Sequence, residues 1–328
     1  MNHWQRVGSI LPAHDRTAWI TAQRMPRPAV PDYFKPHGFF LEEELSTSGW
    51  VASSATILLA NRECPWRCLM CDLWKNTTTQ TVPPGAITRQ IEYALSQLSS
   101  RPEQIKLYNS GSFFDQAAIP PTDYPAIART VAFAKHIVVE SHPRLVGEKV
   151  LRFRDLLAGS LEVAMGLETV HPEVLPRLNK KFELTHFSHA AGFLWNNGIS
   201  VRAFVLVKPP FMDEAEGLEW AVKSAEFALS CGATVVSLIP TRPGNGAMER
   251  LMAAGEFSPP RLATLEKALE LALEMRGGGR IFADTWDLEQ FSNCPTCFAM
   301  RRQRIHAMNL SQRIPPAINC PACGLQTD

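Results

Sequence analysis

Three cysteines early in the chain are spaced so that their thiolates could hold one iron–sulfur cluster. Cys64, Cys68 and Cys71 form a C-x3-C-x2-C pattern that directly follows the apolar run 55–61. A [4Fe–4S] cluster has four irons, so three protein thiolates leave one iron open to an external ligand. The alternative is a structural zinc loop with its fourth ligand elsewhere, but zinc sites favour paired C-x2-C units. The spacing therefore favours a cluster with a reactive iron.

Four further cysteines lie near the C-terminus in two C-x2-C units, which are Cys294, Cys297, Cys320 and Cys323. Four thiolates in this arrangement fit a tetrahedral zinc ribbon, and they also fit a second [4Fe–4S] cluster. The pattern predicts a metal-binding module and leaves the choice between zinc and iron open. The eighth cysteine, Cys231, stands alone before a glycine and is interpreted as a small buried hydrophobe.

The residues around the first cysteine group alternate between strand-like and helical patterns. Short apolar runs typical of strands lie at 55–61, 104–111, 136–141, 161–168, 200–210 and 233–240. The segment 280–286 is one more candidate strand. Apolar strands separated by helices indicate a parallel sheet that is covered by helices. These units predict an α/β fold, a partial parallel (β/α)6 barrel rather than a closed eight-unit barrel.

The chain is expected to have three parts. Residues 1–50 are rich in proline and aromatic side chains and predict an irregular N-terminal extension. Residues 51–285 form the partial barrel, and residues 286–328 form the C-terminal four-cysteine metal module. The first cysteine group then lies at the carboxyl end of the first barrel strand, which is where βα barrels build their active sites.

The segment 298–319, between the two C-terminal cysteine units, is basic. It contains no acidic residue and four arginines, which are Arg301, Arg302, Arg304 and Arg313. A basic loop clamped by a metal could contact the phosphates of a nucleic acid. A solvated helix face that packs on the bottom of the barrel is the alternative.

Composition excludes several classes of protein. The 328 residues include 33 Lys and Arg against 32 Asp and Glu, for a net charge of +1, and 45% are hydrophobic. A globally basic nucleic-acid binder is therefore disfavoured, and a packed core is expected. No apolar run approaches the length of a membrane span, and the N-terminus lacks the apolar region of a signal peptide. A cytoplasmic protein without a membrane partner is expected.

The pattern of Cys64, Cys68 and Cys71 before a partial βα barrel resembles the radical S-adenosylmethionine (SAM) superfamily. The resemblance implies that the open iron binds the amino and carboxylate groups of SAM. The reduced cluster would cleave SAM to methionine and a 5′-deoxyadenosyl radical that abstracts hydrogen from a substrate. An electron donor such as flavodoxin or ferredoxin is implied as well. Met70 stands where the superfamily usually has an aromatic residue near adenine, and its thioether can cover a ring edge.

The residues after the second predicted strand also match this superfamily. The resemblance implies that the loop with Ser110, Gly111 and Ser112 approaches the methionine amino group of SAM. Gly111 would permit a close approach of the backbone.

The ends of the third and fourth predicted strands resemble the elongator-catalytic-subunit-like branch of the superfamily. Glu140 and Ser141 match a Glu-Ser-Arg-Pro element, which implies that one of them contacts the SAM ribose. His142 stands in place of the arginine. Glu168 ends a Gly-Leu-Glu element, which implies a hydrogen bond to SAM or substrate. An acid at a helix N-terminus, favoured by the helix dipole, is the alternative for Glu168.

The segments 166–187 and 200–211 resemble the radical SAM enzymes that complete archaeosine in tRNA, together with their uncharacterised relatives. The resemblance implies a lyase-like reaction on a deazaguanine-type nucleoside in tRNA or on a related deazapurine compound. Glu168 and Lys208 are the candidate catalytic residues, although Lys208 could equally be a solvated charge at the rim. A radical SAM reaction on an unrelated small metabolite is one alternative. A non-catalytic metal-binding RNA or adaptor protein is another.

Overall fold

The computed structural model describes residues 8–27, 31–275 and 278–323. Within them, eight strands form one sheet in sequence order. The strands are β1 (Gly38–Leu45), β2 (Val51–Leu58), β3 (Gln104–Tyr108), β4 (His136–Ser141), β5 (Ser160–Glu168), β6 (Ser200–Val207), β7 (Val235–Pro240) and β8 (Arg280–Ala283).

Helices connect the strands and cover the outer face of the sheet. The α-helices are α1 (Arg16–Ala22), α2 (Ala86–Gln97), α3 (Tyr124–Thr130), α4 (Glu148–Arg154), α5 (Val174–Arg177), α6 (Leu184–Asn196), α7 (Glu214–Ser230), α8 (Ala247–Ala253), α9 (Leu262–Leu273) and α10 (Pro295–Ser311). Short 3₁₀ helices lie at Leu73–Asn76, Pro121–Asp123, Pro143–Leu145 and Leu288–Phe291. None of the described helices combines the length and the apolar character that crossing a membrane requires.

The predicted partial parallel barrel is confirmed. Strands β2 to β8 run parallel, each beside the next in sequence, and the sheet curls into a half-barrel. Alternate residues of each strand face outward, where side chains such as Ile105, Val139 and Val205 join one large apolar core with the helices. The candidate segment at 280–286 supplies β8, so the sheet holds seven parallel strands in place of the six units that we predicted.

The N-terminal extension is irregular only in part, because it contains two regular elements that we did not predict. Strand β1 pairs antiparallel with β2, with Phe40 opposite Thr56, and helix α1 precedes it. The prediction failed because β1 carries three consecutive glutamates, which do not resemble a buried strand. Residues 1–7 and 28–30 of this predicted segment lie outside the described residues.

The inner face of the half-barrel carries a buried network of charges. Glu44 of β1 pairs with Arg202 of β6 at 2.6 Å and with Lys106 of β3 at 2.6 Å. Arg202 also pairs with Glu162 of β5 at 2.6 Å. Strands β1 and β6 lie five positions apart in the sheet, so these side chains meet only because the sheet curls.

Helix α10 fills the opening between the edge strands β1 and β8, which we call the seam. It packs against both strands and against α9. Two amide side chains of this region bind the free edge of β8: Asn309 bonds both the N–H and the C=O of Ala283 at 2.8 Å, and Gln312 bonds those of Ile281 at 2.6 and 2.8 Å. These amides replace the hydrogen bonds of a ninth strand.

The basic segment 298–319 forms most of α10 rather than a phosphate-binding loop. Arg301 and Arg304 are buried and both pair with Glu266 of α9, and Arg304 also pairs with Glu270. Their charges are therefore neutralised inside the protein. Arg302 and Arg313 remain exposed. The alternative, a helix that packs on the barrel, is correct. Its face is not fully solvated as we expected, because Arg301 and Arg304 are buried.

Replacing Glu44 by Gln should destabilise the fold by about 3–5 kcal/mol, because Arg202 and Lys106 lose a buried counter-charge. Burial alone would raise the pKa of Glu44, but Arg202 and Lys106 hold it well below its ordinary value. The stabilisation is therefore present at neutral pH and is lost as pH falls below the ordinary carboxyl pKa of about 4. Urea denaturation of parent and variant at pH 7 and at lower pH measures both effects.

Glu43 provides a matched control, since it is exposed on the same strand. Glu43→Gln should change the free energy of unfolding by less than about 0.5 kcal/mol. Equal destabilisation by the two substitutions would contradict the role assigned to the network.

Candidate active site

The three cysteines of the first group lie in the loop that follows β2. Cys64, Cys68 and Cys71 are free thiols and are half-buried. We call residues 64–71 the cysteine loop. A Cβ built on Gly111 would lie 3.2 Å from the Cβ of Cys64, so the loop after β3 packs directly against the cysteine loop. A glycine suits this position because a side chain would crowd Cys64 unless the cysteine moved slightly.

Burial governs the chemistry of these thiols. It raises the pKa of Cys64, of Cys68 and of Cys71 to about 12, although the charge of Lys180 opposes this for Cys64 and Cys68. Without a metal the thiols are protonated at neutral pH, and metal binding must release their protons. The nearby Lys180 ammonium would stabilise the negative charge of bound thiolates.

Two asparagine side chains hold the backbone of the cysteine loop. Asn179 donates to the carbonyl of Arg67 at 2.7 Å. Asn245 donates to the carbonyls of Leu69 at 2.6 Å and Cys71 at 3.3 Å. Each amide comes from a distant loop of the barrel. The loop conformation is therefore set by several strand ends together.

Glu140 holds the loop after β3. Its Oε1 accepts hydrogen bonds from the N–H groups of Asn109 at 2.5 Å and Gly111 at 3.2 Å. Burial raises the pKa of Glu140 to about 7, against the lowering effect of these N–H groups. The carboxyl therefore positions the loop backbone, and the SAM contact predicted for Glu140 or Ser141 is untested. The hydroxyl of Ser141 donates to the carbonyl of His142 at 3.1 Å.

His142 links the end of β4 to the cysteine loop. Its ring stacks on the indole of Trp66, with centroids 3.8 Å apart and planes 7° apart. The N–H of His142 donates to the hydroxyl of Ser112 at 2.7 Å, and its Nε2 lies 2.9 Å from the carbonyl of Lys180. Burial and the charge of Lys180 lower the pKa of His142 to about 3, so the ring is neutral at pH 7. A neutral aromatic ring suits this stacking role.

Glu168, which is buried, forms an ion pair with Lys180, whose side chain is 11% exposed, beside the cysteine loop. A Cβ on Gly166 would collide with both side chains, so this glycine makes room for the pair. Burial alone would lower the pKa of Lys180, but Glu168 and Cys68 raise it to about 12. The structure therefore brings Glu168 to the cysteine loop together with a cation that we had not predicted.

Three non-glycine residues near the strand ends have a left-handed backbone conformation. Ser110, Glu168 and Lys208 have φ values of 56°, 65° and 52°. This conformation costs energy for such residues and is concentrated at functional sites. All three belong to the set predicted from the sequence.

Lys208 is directed away from the cysteine loop. Its Nζ pairs with Glu214 of α7 at 2.8 Å and donates to the hydroxyl of Ser258 at 2.7 Å. Its aliphatic stem lies against Gly217 of the same helix. These contacts anchor α7 and do not support the predicted catalytic role of Lys208. The alternative interpretation of Lys208 as a solvated charge at the rim is also wrong, because Lys208 is buried.

Met70 packs in a second apolar cluster beside the cysteine loop. The cluster includes Leu69, Phe211 and Met212, and Ile20 of α1 joins it. The N-terminal helix thus shields one side of the loop. The adenine contact predicted for Met70 is untested.

The C-terminal cysteines form a compact group. The sulfur atoms of Cys294, Cys297, Cys320 and Cys323 all lie within 4.8 Å of one another, so the module could hold a metal or a second cluster. The described residues place no other set of histidine, cysteine or carboxylate ligands so close together. The three thiols of the cysteine loop are more widely spread, as ligands of different irons would be.

Sequence reasoning missed Asn179, Lys180 and Asn245. Asn179 and Lys180 lie inside the segment 166–187, which we had quoted for its resemblance without assigning these positions a role. Asn245 stands in a Pro-Gly-Asn-Gly stretch that has the composition of an ordinary turn. Only the folded chain brings the three to the cysteine loop.

The chain is similar in sequence to proteins of archaea. No protein-family model matches the chain. An uncharacterised protein of Methanocaldococcus jannaschii is 23% identical over 306 residues, covering 87% of this chain and 84% of that protein. Archaeosine synthase subunit beta of Methanosarcina acetivorans is 25% identical over 237 residues, covering 69% of this chain and 68% of the subunit.

A solved structure decides the fold. The Elp3 protein of Methanocaldococcus infernus superposes with a TM-score of 0.50 and 14% identity, covering 69% of this chain and 59% of that one. The chain shares the fold of this Elp3 protein, and its structural neighbours are radical SAM enzymes. The resemblance inferred from the residues is confirmed at this level. This fold brings the strand ends of β3, β4 and β5 close to the cysteine loop.

Replacing Asn245 by Ala should loosen the cysteine loop, because the carbonyls of Leu69 and Cys71 lose their donor. Leaving buried carbonyls unpaired costs about 1–3 kcal/mol. Hydrogen exchange in the segment 64–76 should accelerate, and thermal unfolding should occur at lower temperature. Asn196, exposed on α6, provides the control substitution Asn196→Ala. Unchanged exchange in 64–76 would show that Asn245 does not hold the loop.

Proposed function

We propose that this protein is a radical SAM enzyme whose cysteine loop binds a [4Fe–4S] cluster. One observation carries the proposal: three half-buried cysteines lie at the carboxyl end of the first parallel strand, against Gly111 and beside the Glu168–Lys180 pair. Thiolates are the ligands that iron–sulfur clusters take, and three of them leave one iron for SAM. The fold is the one in which this chemistry is expected.

The polar groups at the strand ends fit a bound SAM molecule. Both polar atoms of the Asn109 side chain are buried and, among the described residues, have no hydrogen-bond partner. A buried amide without a partner costs free energy, so a polar ligand would satisfy it. Ser110 and Gly111 follow directly and expose backbone at the same strand end. We assign this loop to the methionine part of SAM.

When bound, the cluster and SAM supply reductive cleavage and a carbon radical. The chain supplies position and shielding. Cys64, Cys68 and Cys71 hold the cluster, and Glu140 fixes the backbone of the SAM loop. Lys180 provides positive charge next to the thiolates. Trp66 stacked on His142 and the apolar cluster around Met70 shield part of the cysteine loop from water.

Glu168 is the residue that we assign to substrate or SAM. The residue is buried, and its carboxylate is paired with Lys180. Its backbone has the left-handed conformation, with a φ of 65°. A carboxylate held in this way can accept a hydrogen bond from a ribose hydroxyl or from an amine. We assign no catalytic role to Lys208.

Replacing Cys68 by Ala should abolish SAM cleavage, because two remaining thiolates cannot hold the cluster in place. Anaerobic reconstitution should load about four irons at this site in the parent and none in the variant. Iron analysis and 5′-deoxyadenosine formation with a chemical reductant measure the two effects. Cys231→Ala is the control, since Cys231 ends α7 far from the cysteine loop in sequence and should leave both values unchanged. Normal SAM cleavage by the Cys68→Ala protein would overturn the proposal.

We propose further that the substrate is a deazaguanine-type nucleoside in tRNA. The support is the sequence relation to archaeosine synthase subunit beta over two thirds of the chain. A small metabolite outside tRNA is the alternative, favoured by the net charge of only +1. Formation of 5′-deoxyadenosine with and without tRNA carrying the modified base discriminates between them. A non-catalytic adaptor would need no open iron.

If tRNA is the substrate, its phosphates should contact Arg302 and Arg313, the arginines of the 298–319 segment that remain exposed. Changing both to Gln should weaken tRNA binding and flatten its salt dependence by up to about two counterions. SAM cleavage without substrate should be unchanged. The double change Arg129→Gln and Arg152→Gln on α3 and α4, also at exposed positions, is the control. Parent protein without salt-sensitive tRNA binding would favour the small-metabolite alternative.

We propose that an acidic electron carrier such as flavodoxin or ferredoxin docks beside the cysteine loop. A cleft of about 420 Å³ opens there, lined in part by Arg62, Pro65 and Asp115. Glu63 in this cleft pairs with three arginines, which are Arg24, Arg27 and Arg67. The surplus of positive charge would attract an acidic partner to the side of the loop that lies closest to solvent.

A further inference from the structure

The spacing of the C-terminal thiols distinguishes a single ion from a cluster. The sulfur of Cys294 lies 3.8 Å from that of Cys320, and the sulfur of Cys297 lies 3.9 Å from that of Cys323. A tetrahedral ion with bonds of about 2.3 Å to sulfur places its ligands about 3.8 Å apart. The thiolates of a [4Fe–4S] cluster bind four different irons and point away from one another, so they lie further apart.

The surroundings suit a closed structural site. Cys294, Cys297 and Cys320 are buried, and Ile318 packs against them. All four positions of a tetrahedral ion are filled by protein sulfur, which leaves no open position for a substrate. Zinc is the ion that combines four thiolates with this geometry and has no redox chemistry of its own.

One buried arginine donates a hydrogen bond to a thiol of such a site. Zn²⁺ with four thiolates carries a double negative charge. The Nε of Arg301 donates to the sulfur of Cys297 at 3.4 Å, and its guanidinium also binds Glu266. Arg304 shares that carboxylate one turn later on α10. Of the four arginines that we had assigned to phosphate, Arg301 thus has a partner in the metal site itself.

The site also ties the tail to α10. Cys294 and Cys297 stand at the start of the helix, and Cys320 and Cys323 lie on the segment that returns after its end. Arg304 donates to the carbonyls of Pro315 at 2.7 Å and Pro316 at 2.8 Å on the way back. A metal on the four cysteines would hold the start of α10 to the tail, and Arg304 holds the middle of the helix to the same tail.

We propose that the four C-terminal cysteines bind one tetrahedral zinc ion that fastens α10 over the seam between β8 and β1. Asn309 and Gln312 then keep the edge of β8 covered. The proposal concerns the tail alone and does not depend on the radical SAM chemistry. Loss of the ion would free the helix and expose the backbone of Ile281 and Ala283.

Metal analysis tests the identity of the ion. The experiment uses the full chain with Cys64, Cys68 and Cys71 all changed to Ser, so that bound metal reports on the tail. After gel filtration we expect one zinc per chain and neither iron nor acid-labile sulfide. Replacement by Co²⁺ should give the intense visible absorption of a tetrahedral thiolate complex. Parent protein, reconstituted anaerobically, should carry the same zinc in addition to its iron.

Three outcomes would overturn the ion assignment. Iron with an equal amount of sulfide in the triple variant would establish a second cluster. One iron without sulfide would keep the tetrahedral geometry but exclude zinc. A chain that retains no metal through gel filtration would refute the site.

Hydrogen exchange tests the fastening of the helix. Cys320→Ser should lose the zinc, and exchange of the Ile281 and Ala283 amides should accelerate by at least about tenfold, as expected when a region opens locally. Cys231→Ser is the matched control and should change neither zinc content nor exchange. Protected amides at 281 and 283 in a zinc-free Cys320→Ser protein would show that the ion does not fasten α10.

Discussion

The contact of Glu44 with Arg202 is the interaction on which the architecture depends. One side chain comes from the antiparallel edge strand and the other from a strand five positions away, and both are buried on the inner face. A buried charge is tolerated only when it is paired, so the sheet must curl until the two meet. The curl in turn brings the ends of β3, β4 and β5 around the cysteine loop.

Neutral and charged side chains hold different parts of the cysteine loop and of the loop that faces it. Asparagine amides fix the carbonyls of the cysteine loop, and Glu140 fixes the facing loop. Lys180 places a positive charge beside the thiols. The stacked pair of Trp66 and His142 keeps aromatic surface over the loop without adding a second charge. These contacts together fix the backbone around the three thiols and place a cation beside them.

Local pattern predicted the parallel strands well, because apolar runs between helices depend little on distant residues. Strand β1 escaped prediction since two of its three glutamates, Glu42 and Glu44, pair with Lys106 and Arg202, which lie far along the chain. Arg301 and Arg304 were misread for the same reason, as their partner Glu266 belongs to another helix. The cysteines were found because metal ligands carry a spacing signal. Asn179, Lys180 and Asn245 carry none, since each acts through tertiary contacts that no local pattern encodes.

The ion pair between Glu44 of β1 and Arg202 of β6 has a consequence for synthesis on the ribosome. Glu44 and Arg202 are 158 residues apart in sequence. At about 5–20 residues per second, Glu44 is synthesised roughly 8–32 s before Arg202. During that time its carboxylates stay hydrated, which keeps the exposed hairpin of β1 and β2 from adhering to other nascent chains. The charges that later lie inside the barrel thus act first as a solubility device.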